Sequence, residues 1–131
     1  MYIALDALPH STEFGVHLHP ALRIINFIAL AFFGFAVVAI ALANPSASVP
    51  AILNLLPFGL ALLAVRADSS KTAVWAGVLV NGLWALLYVG IAMVVLAGMG
   101  GSLVAVPFAL LVATPCVFNT VVLRRSLNAG A

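Results

Sequence analysis

Charge is what this sequence has least of. Its 131 residues hold five Lys and Arg and three Asp and Glu, 6% in all, against 66% hydrophobic residues and a mean hydropathy of +1.29. A soluble domain carries about 25% charged residues because its surface faces water. A chain this poor in charge has no means of solvating an ordinary surface, so the composition predicts an integral membrane protein. Cysteine is nearly absent too: Cys116 stands alone. No intramolecular disulfide can form, and apolar neighbours make a poor setting for a reactive thiol. The net charge of +2 is too small and dispersed for nucleic-acid binding. A cleavable signal peptide would open with basic residues and an apolar core of about 7–15 residues. Here the first long apolar run starts only after Arg23, and it reads as an uncleaved first span.

What the sequence does have is four apolar runs, Ile24–Ala43, Val49–Val65, Thr72–Ala97 and Leu103–Leu123. Each suits a helix crossing the hydrocarbon core, which takes about 20 residues. The connections "NPSAS", "RADSSK" and "GMGGS" are short and rich in Pro, Gly, Ser or charge, which is turn chemistry. Short connections force neighbouring spans antiparallel. The expected fold is therefore an all-α, up-down four-transmembrane-helix bundle. Residues 1–23 read as an interfacial segment, 24–123 as the membrane domain and 124–131 as a short basic tail. Arg23, Arg66, Lys71, Arg124 and Arg125 are all the basic residues, and every one falls at the same end of such a bundle. Short loops rich in Lys and Arg stay inside. Both termini are therefore expected in the cytoplasm, in a membrane such as the bacterial inner membrane.

Spans two and four share a layout. Val49-Pro50, Pro57 and Arg66 are matched by Val106-Pro107, Pro115 and Arg124, with the interior proline nine residues before the arginine in both. The pattern suggests a 2+2 parallel repeat, as in some transporters. An interior proline withholds one backbone donor, here from the carbonyls of Leu53 and Leu111, and hydrocarbon offers no substitute.

No Asp, Glu, Lys, Arg or His falls inside any apolar run. Ion-coupled carriers mark their path with such groups, and haem-bearing bundles need axial ligands, so both classes are disfavoured. One asparagine per span remains: Asn26, Asn54, Asn81 and Asn119. Counting from "RADSSK" puts Asn54 and Asn81 at one depth, with Asn26 and Asn119 nearer the basic end. A mid-membrane polar site of Asn54, Asn81, Thr114 and the carbonyls freed by Pro57 and Pro115 is the one candidate for solute binding. Ala73, Gly77, Asn81 and Ala85 recur every four residues, a stripe along which another helix can approach closely. Trp84 and Tyr88 are also four apart, with core or lipid-facing packing as their expected role.

All three histidines lie in "HSTEFGVHLHP", residues 10–20. In helical register Asp6, His10, Glu13 and His17 share a face. Only neighbours one turn apart, such as Glu13 and His17, could share a metal ion, and a third ligand is missing from the pattern. A solvated interfacial segment, with Pro20 in the first turn of span one, is the expectation. No cofactor and no catalytic constellation is indicated. The functional expectation is a non-catalytic subunit or scaffold that packs in the bilayer with itself or with a larger membrane complex. The alternative is a small oligomeric transporter or channel for a neutral or lipophilic solute.

Overall fold

The computed structural model describes residues 11–66 and 69–129, with side chains from Pro20 onward. The described residues are helical with no strand. They form α1 (Ser11–Ala43), a short 3-10 turn (Pro45–Ala47), α2 (Ser48–Leu53), α3 (Leu56–Ala64), α4 (Lys71–Leu96) and α5 (Ala105–Ala129). Four stretches are long and apolar enough to cross a membrane: Pro20–Ala43, Pro45–Ala64, Lys71–Leu96 and Ala105–Ala129. They fall within a few residues of the four runs read from hydropathy. Asp6 and His10 lie outside the described residues. Glu13 and His17 belong to α1 by their backbone, and their side chains lie outside the description.

The helix ends follow local chemistry. Ser70 caps α4 by accepting a hydrogen bond from the Ala73 N–H at 3.1 Å. This satisfies one of the donors every helix start leaves open. At the other end Gly98 takes φ +71°. Its N–H reaches the Val95 carbonyl and the Met99 N–H reaches that of Val94, both at 3.1 Å. This paired closure needs a left-handed residue, which explains a glycine there.

Two boundaries differ from expectation. α1 begins nine residues before Pro20 and runs straight through it. The lost bond falls on the Val16 carbonyl, before the apolar stretch, where water can serve it. The second span is a broken helix: α2 stops at Leu53, α3 restarts at Leu56, and Asn54 and Leu55 bridge with tight bonds to the Ala51 and Ile52 carbonyls. Pro57 sits in the first turn of α3, where its missing N–H costs nothing. α5, by contrast, continues unbroken through Pro115.

α4 and α5 make the most extensive contact; α3 packs on α4, and α1 lies against α3 and α5. Contacting residues run in opposite directions along α4 and α5, with Asn81 bonded to Asn119 and Gly77 facing Leu123. These helices are therefore antiparallel. At Gly77 an added Cβ would come 2.8 Å from Leu123 Cδ1 and 3.4 Å from the Ala64 Cβ. Gly77, Asn81 and Ala85 are buried, so three members of the small-residue stripe lie where helices meet; Ala73 is half-buried. Lipid tails are as apolar as leucine, so close backbone approach supplies much of the cohesion.

Two apolar layers make the interior. Leu22, Ala61, Ala64, Val65, Val78, Val122 and Leu123 form one, at the basic end. Ala29, Phe33, Phe58, Ala85, Val112 and Cys116 form the other. Phe33 joins three helices in this second layer, stacked on Phe58 with ring centroids 5.4 Å apart and meeting Phe108 edge-on at 6.1 Å.

Candidate functional site

Between the two apolar layers lies a layer of amides. Asn26 from α1, Asn81 from α4 and Asn119 from α5 are each 0% exposed. Asn119 is the hub. Its Nδ2 donates to Asn26 Oδ1 and to Asn81 Oδ1, both at 2.8 Å. Its own Oδ1 accepts from Asn26 Nδ2 at 2.8 Å. The remaining N–H of Asn26 goes to the Leu22 carbonyl at 2.7 Å. Asn81 donates to the carbonyls of Gly77 and Pro57, each at 2.9 Å. All four spans are thereby tied together, the second through the Pro57 carbonyl. Each amide carries two N–H groups, and both are used on all three residues. Among the described residues no buried side-chain polar atom lacks a partner.

A second polar cluster lies beyond the second apolar layer. Asn54, at the break in the second span, accepts through Oδ1 from Tyr88 Oη at 2.5 Å and from Trp84 Nε1 at 3.2 Å. Its Nδ2 donates to the Pro50 carbonyl at 3.2 Å. A small cavity of about 50 Å³ adjoins Asn54, Tyr88 and Phe108. At the basic end Arg23 reaches across to donate from Nη2 to the Val65 carbonyl at 2.8 Å, closing the terminus of α3.

The residues read as one polar site occupy three places. Asn81 belongs to the amide layer and Asn54 to the tyrosine–tryptophan cluster. Thr114 is exposed on the outside of α5, where its hydroxyl donates to the Leu110 carbonyl at 2.7 Å. Pro57 is buried and lends its carbonyl to Asn81; Pro115, half-buried, lines an outer groove between α1 and α5. No side-chain hydrogen bond joins Asn54 to Asn81 among the described residues. The contacts across the second and third spans explain why. Pro57 meets Asn81 and Asn54 meets Trp84, so the hairpin is centred on Ser69, and Asn54 lies nearly one turn beyond Asn81.

Asn26 and Asn119 were expected near the basic end, apart from Asn81, yet they complete its network. Depth counted from an arginine Cα misleads, because the side chain extends several ångströms along the helix to place its charge. Arg23 does so in reaching Val65. α5 also continues past Arg124 and Arg125 to Ala129. The Trp84–Tyr88–Asn54 cluster was missed outright. Trp84 and Tyr88 do pack against the second apolar layer, as their four-residue spacing suggests; the signal for the cluster is the donor that each side chain carries beside its ring.

The arrangement has no acid, base or nucleophile at its centre. Three neutral amides with saturated donors can fix helix register and hold a dry core together. Comparison with protein-family models, with curated proteins and with solved structures finds no match for this chain.

Proposed function

We propose that this chain is a non-catalytic membrane subunit or scaffold that packs with copies of itself or with a larger membrane complex. The observation that supports this most is the closed amide layer: every N–H of Asn26, Asn81 and Asn119 is engaged from within the bundle. A binding or catalytic site needs polar groups left open towards its ligand, whereas these are spent on joining helices. Beyond its first turn α4 exposes large apolar side chains, among them Leu79, Leu83, Leu86 and Met93, which offer surface to lipid or to another membrane protein.

In this reading both termini and the connection holding Arg66 and Lys71 face the cytoplasm, as the positive-inside rule has it, and the membrane is a bacterial inner membrane. A 2+2 parallel repeat rests on the shared Val-Pro, Pro and Arg layout, although the second span breaks beside Pro57 while α5 runs on through Pro115. One observation favours the alternative, a small oligomeric transporter or channel for a neutral or lipophilic solute. The break at Asn54 and Leu55 interrupts a membrane helix, and interrupted helices often bind solutes.

Purification in mild detergent separates the two readings. A stoichiometric protein partner, or a homo-oligomer that retains no solute, is expected; a retained small solute, in a monomer or an oligomer, would overturn the scaffold in favour of transport. Cysteine-accessibility labelling tests orientation. Positions 70 and 128 should label from the cytoplasm, and positions 45 and 100 from the other face; the reverse pattern sinks the topology.

A further inference from the structure

A groove of about 650 Å³ lies between α1 and α5 on the outer surface. Its walls are apolar, including Ile25 and Phe32 from α1 and Leu111, Pro115 and Phe118 from α5; Thr114 lines it with its hydroxyl already bonded to Leu110. The α5 residues of this wall recur at three- and four-residue intervals. The same stripe, continued two turns past Phe118, arrives at Arg125, an exposed residue about 10 Å further along the axis. The groove thus runs towards a cation at one end.

Two features of the lining select the occupant. Transmembrane helices pair through small residues that let backbones approach; here Ala29 lies buried at the floor, and apart from Thr114 the rim is large, with Phe32, Leu110 and Leu111 keeping a second helix at a distance. A second copy in the same membrane orientation would also bring its basic end beside Arg125, like charge against like. A lipid meets both conditions in the favourable sense. A flexible chain fills a groove between bulky side chains, and a phosphate complements the arginine. Basic sites between membrane helices are suited to anionic headgroups. We propose that the α1–α5 groove binds a phospholipid with an anionic headgroup, one acyl chain lying along Phe32, Leu111 and Phe118 and the phosphate resting at Arg125.

Native mass spectrometry of the detergent-solubilised chain, offered phosphatidylglycerol and phosphatidylcholine of matched acyl chains, tests this. Phosphatidylglycerol should be retained about fivefold better, the worth of one basic residue near an anionic headgroup. Arg125→Gln should abolish that preference, while Arg124→Gln, about 100° round the helix and off the stripe, should keep it. Thr114→Trp, at an exposed position, should fill the groove and reduce retention of both lipids. Equal retention of the two lipids by the unaltered chain overturns the proposal. So does a preference that survives Arg125→Gln, and so does competition by inorganic phosphate, which has no chain for the groove. The exposed Arg125 variant keeps the test decisive should the tryptophan variant fail to fold.

Discussion

Replacing Asn119 with leucine removes the hub of the amide layer while keeping the number and branching of its side-chain heavy atoms. Three interhelical bonds disappear together: two exchanged with Asn26 and one given to Asn81, each 2.8 Å long. Interhelical bonds in membranes average about 0.6 kcal/mol and reach about 1.7. The loss is then about 2 kcal/mol at the average and about 5 kcal/mol at the maximum. Little offsets it, because moving a leucine from lipid into a protein interior gains almost nothing. The higher part of that range is expected here. The oxygens of Asn26 and Asn81 lose their donor inside a dry layer, and an orphaned buried polar group costs more than its bond returned.

The pairing is tested by a double-mutant cycle. Asn26→Leu removes the same two bonds to Asn119 as well as its own bond to Leu22. The double variant counts the shared pair once, so its loss should fall short of the sum by about 1–3 kcal/mol. The assay is reversible unfolding in mixed micelles on titration with a denaturing detergent, followed by the fluorescence of Trp75 and Trp84. Losses that add to within about 0.5 kcal/mol would mean the two amides do not interact. A cost for Asn119→Leu below about 0.5 kcal/mol would refute the layer as a stabilising element.

The same assay separates other features. Asn54→Leu and Asn81→Leu should each destabilise the bundle and should add, since the two side chains bond different partners; strong coupling would contradict the two-cluster arrangement. Gly77→Ala should cost about 1–3 kcal/mol because its Cβ would press on Leu123, itself buried. Gly90→Ala meets nothing within 4 Å and should leave stability level or raised by up to about 1 kcal/mol; equal effects at the two sites would refute the packing of Gly77. Tyr88→Phe should cost about 1 kcal/mol through loss of its bond to Asn54, and an unchanged midpoint would show that bond to be without weight.

Hydropathy and loop chemistry made the four spans legible, because lipid demands long apolar helices and tight connections have few chemical solutions. Gly98 ends α4 for the reason a glycine there suggests, and Gly77, Asn81 and Ala85 lie at helix contacts as their spacing requires. The polar residues were harder to place. A period of 3.6 says which residues share a face, but partners on another helix depend on where the hairpin folds. A miscount of about one turn joins Asn54 to Asn81 in place of Trp84. Proline had the same limit. Pro57 and Pro115 occur in one sequence pattern, yet the chain breaks at the first and passes through the second. A helix boundary absorbs the missing donor of Pro57, and nothing in the sequence marks α5 as different.

The position of the amide layer has a consequence for what the bundle can do. In water, a one-turn slip between helices exposes apolar surface and is resisted; in lipid the slipped surface is solvated almost equally well, so apolar packing resists weakly. Slip between α4 and α5 would separate Asn81 from Asn119 and push Gly77 off Leu123. Slip of α1 would break both bonds between Asn26 and Asn119. Each displacement breaks amide hydrogen bonds worth about 0.6–1.7 kcal/mol apiece, and leaves their groups facing hydrocarbon. Three neutral residues therefore lock the register of a fold that lipid alone would leave loose, without the cost of burying a charge. A locked register holds the outer faces of α1, α4 and α5 in fixed relation. A subunit that presents those faces to other membrane components needs that constancy, whereas a carrier that alternates between open states has to break such a layer at every cycle.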